Sequence, residues 1–281
     1  MTRFRPADLT ELPPQPIEVT LAPFSEPLCT LLPLQGDHQV SNLGVVLSIV
    51  SALLTDNPCP SLHLNDKVTL GAIRYGIRYA NWPGRLSLHT LSFPAGYLAG
   101  YDNPSELLLL ADGAHNPASS STLSSYLNAL IAGSIQHDPP TGQRTITLTF
   151  LLALSHSPPK TPTQTLTPML HLEDFSDAGV HLRVRVGLLR FTTPDGMPWI
   201  KSENPSDLKE VVTSLLPDAE MWKTDDERAP EGQIDDALRW AAEGSVRRNG
   251  VRREPEHLVV IAGSLYLIAD LYRFMKKVGE A

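Results

Sequence analysis

The chain has 281 residues, with 23 Lys and Arg against 31 Asp and Glu, and a formal net charge of −8. This length predicts one large domain or two smaller ones, and the acidic balance argues against a general nucleic-acid binder. The two cysteines form no CxxC pair, which excludes a disulfide framework. The first residues lack the apolar core of a secretory signal, so we expect a cytoplasmic protein, with a mitochondrial location left open.

The first third of the chain predicts an irregular segment followed by two helices. The predicted elements are two strands and two helices, at residues 17–21, 29–32, 42–54 and 66–80. Ser41 or Asn42 would cap the first helix. The apolar stretch from Leu43 to Leu54 is too short to span a bilayer, so no membrane association is predicted. Two helices do not make a domain, so we expect them to expose apolar side chains that a larger fold would cover.

From Trp82 onward, strand and helix patterns alternate. Strands are predicted at residues 85–91, 106–111, 145–154, 181–191 and 257–262. Helices are predicted at residues 117–130, 166–172, 206–216, 234–243 and 264–277. Such alternation predicts an open α/β sheet that is mostly parallel, with right-handed crossovers. Linkers are predicted at the proline-rich residues 155–167 and 192–204 and at the charged residues 220–232.

One turn in this region has the pattern of a ligand site. A buried strand ends at Asp112, Gly113 permits a tight turn, and Asn116 and Pro117 suit the cap and first position of the next helix. Free N–H groups and the helix dipole at such a start favour a phosphate or carboxylate, and open α/β sheets bind ligands at this edge. The residues from Asp112 to His115 are therefore candidates for anion binding. An ordinary capped turn has the same pattern, so both interpretations stay open.

Other charged and metal-binding side chains suggest no further site. The nine histidines show no metal-ligand spacing, so no metal site is predicted from them. Four arginines cluster at positions 247, 248, 252 and 253, between a predicted helix and a predicted strand. A solvated loop explains them better than a nucleic-acid site, so no nucleic acid is predicted as a partner.

Four motifs stand in one order along the chain: HQVSN at 38–42, WPGRL at 82–86, DGAHNP at 112–117 and AGSLYLIADLYR at 262–273. Together they resemble the folylpolyglutamate synthase and dihydrofolate synthase family of the Mur ligase superfamily. The pair WPGR and DGAHNP is the specific part of the resemblance, which covers about residues 34–281. The segment GMPWIK at 196–201 resembles the eukaryotic, fungal branch, and DGAHNP favours dihydrofolate synthase over the polyglutamating enzymes.

The resemblance implies a domain organisation. Residues 82–281 would form the C-terminal glutamate-ligase domain, with a Rossmann-like, open and mostly parallel sheet covered by helices on both faces. Residues 1–81 would be a remnant of the central ATPase domain, with an irregular N-terminus and two helices. The family's P-loop pattern, GxxxxGK[ST], does not occur in this sequence. We therefore expect this chain to be inactive or nearly so by itself.

The resemblance also implies an activity. The chain would belong to an ATP-dependent ligase of folate biosynthesis that adds L-glutamate to dihydropteroate, or to folate, through an acyl phosphate. ATP and Mg²⁺ are the implied cofactors, with the metal ligands in the missing N-terminal domain. The alternatives are a non-catalytic remnant that binds nucleotide or pairs with a separate ATPase half, and a truncated gene product.

Four residues acquire nucleotide-binding roles by this resemblance. Asn42 would contact the adenine side of ATP, and Arg85 would reach the phosphates, because a guanidinium suits oxyanions. Asp112 would contact the ribose or phosphates. His115 would contact the nucleotide close to the reacting carboxylate and is the implied catalytic residue. By itself, Arg85 would be interpreted as a solvated surface residue, and Asn42 could equally be a helix cap.

Two further residues acquire roles with the incoming amino acid. Ser264, at the turn before the last helix, matches a position that helps to hold glutamate in related ligases. Lys160 lies in the loop where relatives carry a lysine for the same glutamate, although the surrounding SHSPPKTPT differs from the usual loop. A simple helix cap is the other interpretation of Ser264.

Overall fold

The computed structural model describes residues 3–5, 13–56, 60–94, 96–97, 105–243 and 256–279. The chain divides into two compact units, one formed by Glu11–Leu86 and the other by Met1–Thr10 with Ser87–Ala281. We call them the small unit and the large unit. The arginine cluster at positions 247–253 lies outside the described residues.

The small unit combines a hairpin with helices. Its elements are β1 (Gln15–Val19), β2 (Leu28–Leu32), α1 (Asp37–Asp56), a 3-10 turn (Pro60–Leu62), α2 (Leu64–Lys67) and α3 (Leu70–Arg78). β1 and β2 pair antiparallel. Apolar side chains of the hairpin, α1 and α3 form its core: Leu21, Leu28, Leu32, Leu43, Leu47 and Ile77. Arg74 Nε also donates to the carbonyl oxygen of Cys29 at 3.1 Å, which ties α3 to β2.

Both predicted helices of the small unit differ in detail from the structure. Helix α1 begins at Asp37, so Asn42 lies inside the helix and its Nδ2 donates to Gln39 Oε1 at 3.2 Å. The prediction that Asn42 or Ser41 caps this helix is therefore wrong. The second predicted helix is interrupted before Thr69, whose side chain accepts from the Ala72 N–H at 3.1 Å and starts α3. A local side-chain cap thus divides a segment whose apolar spacing looked continuous.

Helix α1 has 20 residues, and its most apolar 18-residue window has a mean hydropathy of 1.4. Within the described residues it is therefore long and apolar enough to cross a membrane, which corrects the prediction that this stretch is too short. Length and composition alone do not separate such a helix from one that packs against protein. Four apolar side chains of α1, which we call the α1 patch, are at least 41% exposed: Val45, Val46, Ile49 and Leu53. The expected exposed apolar surface is confirmed on this helix.

The large unit is built on a six-stranded sheet. Its strands are β3 (Ser87–Phe93), β4 (Ser105–Ala111), β5 (Arg144–Leu152), β6 (Val180–Leu188), β7 (Glu220–Lys223) and β8 (Glu256–Ala262). The order across the sheet is β3-β4-β8-β5-β6-β7, and only the pairing of β3 with β4 is antiparallel. The helices are α4 (Pro117–His137), α5 (Pro162–Met169), α6 (Pro205–Leu215), α7 (Gln233–Glu243) and α8 (Leu265–Gly279). The predicted open, mostly parallel α/β sheet is confirmed.

Helices cover both faces of this sheet. Helices α7 and α8 pack together against one face, and α4, α5 and α6 follow one another on the other. Successive side chains of a strand point to opposite faces, so a strand covered on both sides is apolar at every position. The consecutive leucines of β4 follow this rule: Leu107 and Leu109 belong to the cluster with α7 and α8, and Leu108 and Leu110 are equally buried.

The strand order creates a crevice at the carboxyl edge of the sheet. The chain passes from β4 through α4 to β5, continues outward to β7, and returns through α7 to β8, which lies between β4 and β5. Neighbouring strands β4 and β8 are therefore followed by helices on opposite faces. Open α/β sheets bind ligands where neighbouring connections diverge in this way.

Two elements of the large unit lie in predicted linkers. Strand β7 begins the charged segment 220–232, where the Glu220 carboxylate accepts from Arg185 Nη2 at 3.0 Å. The Arg185 guanidinium also lies 4.0 Å from the Trp240 ring centre. Helix α5 begins inside the proline-rich segment 155–167, because the Gln164 side chain accepts from the Thr161 N–H at 3.1 Å and closes its first turn. Both linker predictions are wrong at these residues.

Buried His257 gives the fold a dependence on pH. Its ring nitrogen Nε2 lies 2.8 Å from the hydroxyl of Thr149. Burial, reinforced by Arg185 and Arg183, lowers the pKa of His257 from 6.5 to about 3. The unfolded chain therefore binds a proton as the pH falls below 6.5, whereas the folded chain does not until about pH 3.

We predict that the free energy of unfolding falls by about 1.4 kcal/mol for each unit by which the pH is lowered from 6 to 4, because of His257. Urea titrations at several pH values measure this slope, which should be smaller in His257→Gln. His181→Gln, at an exposed position of β6, is the matched control. Equal slopes in the native protein and His257→Gln would contradict the prediction.

The α1 patch predicts self-association. Val46, Ile49 and Leu53 are three or four residues apart and share one side of the helix, so they form a continuous apolar surface. We expect dimers or larger species at high concentration in sedimentation velocity, and monomers after Val46→Lys combined with Ile49→Lys. Ser48→Lys, on another exposed side of α1, should leave association unchanged. A monomeric native chain at high concentration would show that the patch does not drive association.

Candidate functional site

Five connections of the large unit leave the carboxyl edge of the sheet. They are residues 112–116 after β4, 153–161 after β5, 189–204 after β6, 224–232 after β7 and 263–264 after β8. Parallel strands end at the same edge, so these connections stand beside one another. The Asp112 N–H extends the pairing of β4 and β8 by donating to the carbonyl oxygen of Ile261 at 3.0 Å.

The turn after β4 is held by its own aspartate. Asp112 is 5% exposed, and its Oδ1 accepts from the Ala114 N–H at 2.8 Å. Gly113 and Ala114 are also buried. The carboxylate of Asp112 therefore determines the shape of this turn and places the next residue, His115, at the mouth of the crevice.

The start of α4 is capped as the sequence predicts. Asn116 Oδ1 accepts from the Ser119 N–H at 3.0 Å, and Ser119 Oγ accepts from the N–H groups of Asn116 at 3.2 Å and His115 at 3.1 Å. Pro117 takes the first helical position. The expectation of free N–H groups is therefore wrong for the amides of His115, Asn116 and Ser119. An anion at this turn would instead meet the helix dipole and neighbouring side chains.

His115 has a defined ring orientation. Its Nδ1 lies 2.8 Å from the carbonyl oxygen of Gly113. A carbonyl oxygen only accepts, so Nδ1 carries the hydrogen, and Nε2 of the neutral ring carries a lone pair. The half-buried ring can therefore take up a proton at Nε2 and donate it to an anionic oxygen.

The structure brings Lys160 to His115. The Nζ of Lys160 donates to the carbonyl oxygen of His115 at 2.6 Å, and the Lys160 N–H donates to the carbonyl oxygen of Ser157 at 3.0 Å. This contact joins the connection after β5 to the turn after β4. A positive charge thus lies beside a histidine at the edge where an anion would be bound.

The connection after β6 adds residues that the sequence did not indicate. The His156 N–H donates to the carbonyl oxygen of Lys201 at 2.8 Å, and Nδ1 of His156 lies 3.0 Å from Glu203 Oε1. Ser155 and Ser202 form an isolated bridge between the same segments. These polar residues lie in proline-rich stretches without a recognisable spacing, so only the strand order brings them to the site.

Ser264 caps α8 at the end of the neighbouring strand. It is 1% exposed, and its hydroxyl accepts from the Tyr266 N–H at 3.1 Å. Gly263 has φ +102, and a Cβ atom there would lie 2.5 Å from the carbonyl oxygen of Ala153. Only glycine permits this close approach between the turn after β8 and the connection after β5. Ser264 is therefore fixed next to the segment that carries Lys160.

Asn42 and Arg85 lie in the small unit. Asn42 is exposed on α1, and Arg85 is half-buried in a tight turn in which its N–H donates to the carbonyl oxygen of Trp82 at 3.3 Å. Gly36, the residue before α1, lies close to Leu86: a Cβ atom added to Gly36 would be 3.1 Å from Leu86 Cδ1. The turn that carries Arg85 therefore lies near the start of α1. The other four candidates, Asp112, His115, Lys160 and Ser264, belong to the large unit.

Within the described residues, no group of three or more His, Cys, Asp or Glu side chains could hold a metal ion. The large-unit candidates comprise one carboxylate, one imidazole, one ammonium and one hydroxyl. Such a set suits oxyanions such as phosphates and carboxylates better than a resident divalent cation. The described candidates therefore suit an oxyanionic ligand, and the described part of the chain contains no complete magnesium site.

Comparisons with known proteins agree with this architecture. The probable dihydrofolate synthetase of Schizosaccharomyces pombe is 25% identical over 244 residues, which cover 87% of this chain and 44% of that protein. The dihydrofolate synthetase of Saccharomyces cerevisiae is 25% identical over 244 residues, covering 86% of this chain and 45% of that protein. The chain thus spans less than half the length of these curated relatives.

A solved structure shares the fold of this chain, and a family model matches its sequence. Mycobacterium tuberculosis folylpolyglutamate synthase complexed with ADP and AMPPCP has a TM-score of 0.50 and 15% identity, covering 92% of this chain and 47% of that one, which shows a shared fold. A family model described as dihydrofolate synthetase, C-terminal domain, matches residues 99–274. Because this match covers more than half of the sequence and most of the large unit, the chain belongs to the dihydrofolate synthetase C-terminal domain family.

Proposed function

We propose that this chain is the substrate-side part of an ATP-dependent ligase of folate biosynthesis, which joins L-glutamate to dihydropteroate or to folate. The observation that carries the proposal is the Asp112–His115 turn with the Lys160 ammonium 2.6 Å from the His115 carbonyl oxygen. This arrangement lies at the carboxyl edge of the sheet, in a domain of the dihydrofolate synthetase family. The names of both curated relatives support dihydropteroate over folate as the acceptor.

The reaction joins a carboxylate to an amine. The γ-phosphoryl group of ATP would pass to the pteroate carboxylate to give an acyl phosphate and ADP, after which the glutamate amine attacks the acyl carbon and phosphate leaves. Magnesium would neutralise phosphate charge during the first step. Negative charge accumulates throughout, so cationic and hydrogen-bond-donating groups are what the chain must supply.

Within this scheme, the large unit would provide the contacts around the reacting groups. His115 would donate from Nε2 to an oxygen of the nucleotide or the acyl phosphate, in an orientation held by its Nδ1 bond to Gly113. Asp112 would contribute through the turn that it holds beside the ribose and phosphates. Asn42 and Arg85 of the small unit would contact the adenine side and the phosphates, respectively.

Lys160 and Ser264 would hold the incoming glutamate. The Lys160 ammonium has three donors, so it can bind a carboxylate while retaining the carbonyl oxygen of His115. The Ser264 hydroxyl accepts from the Tyr266 N–H and can still donate its own hydrogen. A lysine that fixes both the glutamate and the His115 turn would align the amine with the activated carboxylate.

Turnover would further need a phosphate-binding segment outside these 281 residues, which contain no GxxxxGK[ST] pattern. We propose that an ATPase part, in the same longer protein or on a separate chain, supplies the P-loop and the magnesium ligands. The second candidate, supported by the same absence from this sequence, is a non-catalytic domain of this fold that binds nucleotide without ligation.

We expect no ATP-dependent joining of dihydropteroate and glutamate by the 281-residue chain alone. Turnover should appear when it is co-expressed with the N-terminal part of the Schizosaccharomyces pombe relative, and His115→Ala should lower that turnover by about 100-fold. A coupled ADP-release assay with mass detection of dihydrofolate measures both. Turnover by the chain alone would contradict the need for an ATPase part. ADP binding without turnover in the combined system would favour the second candidate.

Lys160→Ala should separate the glutamate role from the nucleotide role. Loss of a charge-assisted hydrogen bond to the glutamate carboxylate should raise its KM by about 10-fold to 100-fold. The affinity for ADP, measured by isothermal titration, should change by a smaller factor than this KM, because the turn that carries His115 keeps its own bonds. Lys209→Ala, at an exposed lysine of α6, is the matched control. An unchanged KM for glutamate would remove Lys160 from the glutamate site.

A further inference from the structure

We infer that the amino edge of the large unit contains a peptide-binding socket, which this chain fills with its own residues 3–5. The segment Arg3-Phe4-Arg5 belongs to the large unit, whereas residues 11–86 form the small unit. Its partners are Glu256 and His257 at the start of β8, and Asp138 just after α4. All three lie at the edge opposite the Asp112–His115 turn. This inference is independent of the proposed ligase function.

The backbone of Phe4 is bound in the manner of an added strand residue. Its carbonyl oxygen accepts from the His257 N–H at 2.8 Å, and its own N–H donates to Glu256 Oε2 at 3.2 Å. The pairing of β4 with β8 begins at Leu258, so the start of β8 extends beyond its neighbour. Phe4 occupies the position next to this extension. Peptides that add to a sheet edge make bonds like the one from the His257 N–H, whereas the bond to Glu256 is to its side chain.

The side chain of Phe4 supplies the apolar part of the interaction. It is 0% exposed and is among the largest fully buried side chains in the described part of the chain. Burial of a whole aromatic ring is the kind of contact that dominates peptide and protein interfaces. The ring therefore anchors the segment, and the bonds of the Phe4 backbone to the His257 N–H and to the Glu256 carboxylate set its direction.

Charges around the socket favour a cationic residue before the aromatic one. Arg3 forms an ion pair with Asp138, and its Nη1 lies 3.9 Å from Glu256 Oε1. The hydrogen bond from Arg3 lowers the pKa of the Asp138 carboxyl. Glu256 is 5% exposed and is held by Arg144 through bonds of 2.9 Å and 2.6 Å. Arg144 thus pairs with the Glu256 carboxylate, and Arg3 supplies the positive charge that pairs with the Asp138 carboxylate.

Contacts with residues that are distant in the sequence hold this segment in place. Phe4 and Glu256 are 252 residues apart in the chain. The ligand that fits is therefore a short peptide with an arginine followed by a phenylalanine.

The test cuts the chain after it has folded. A specific protease site inserted between Ala7 and Asp8 allows cleavage of the purified full chain, followed by gel filtration and mass detection of the peptide. We expect the peptide to remain bound in the otherwise native protein and to be lost with Phe4→Ala. Phe24→Ala, which truncates a phenylalanine of the small unit, should retain the peptide. Release from the otherwise native protein, or retention with Phe4→Ala, would overturn the inference.

A second measurement needs no cleavage. Phe4→Ala in the full chain should lower the Tm of the large unit by about 5–15 °C, because a fully buried ring is removed. A synthetic peptide of residues 1–7, added to the cleaved chain after its own peptide has been removed, should restore the Tm. The same peptide with Phe4→Ala should bind about tenfold more weakly or worse. An unchanged Tm in Phe4→Ala would also overturn the inference.

Discussion

The parallel pairing of β4 with β8, in which Ala111 lies opposite Ile261, places two polar turns side by side at the carboxyl edge of the sheet. Both strands are apolar on both faces, so their ends are the first positions where polar groups can meet water. The helices that follow them leave on opposite faces, which opens the crevice between the turns. The positions of Asp112, His115 and Ser264 follow from this single arrangement of strands.

The chemistry of the site depends on how the first turn satisfies its own polar groups. Asp112 and Asn116 use their side chains to hold the backbone, and Ser119 occupies two amides that could have met an anion. The groups left to interact with a substrate are then side chains, foremost His115 and Lys160. A site built from an imidazole and an ammonium depends on how these side chains are held, unlike one built from backbone amides alone.

Much of the large unit could be predicted from sequence, because its signals are local. The four leucines of β4 and the Asp-Gly to Asn-Pro turn each specify their structure within a few residues. Strand β7 could not be predicted, because its four residues are strand-forming only through pairing with β6 and the bond between Arg185 and Glu220. The contact of Lys160 with His115 likewise depends on strand order, which spacing along the chain does not reveal.

In the small unit, by contrast, the local sequence pattern predicts less of the structure. The apolar residues of α1 predicted a helix, yet the same pattern gave neither its true start nor the role of Asn42. The side of α1 that packs and the side that stays exposed are equally apolar, so composition alone does not distinguish them. Only the packing of the hairpin against Leu43 and Leu47 makes that distinction.

The glycine at position 263 has a mechanical consequence. Its missing side chain allows the backbone after β8 to pack closely against the carbonyl group of Ala153. The turn after β8 and the connection after β5, which line the crevice, therefore contact each other at this point. Walls joined in this way shift as a single rigid piece when the surroundings rearrange. The conformational entropy of these two segments is then lost during folding and not during binding. A small ligand therefore meets a surface that is already ordered.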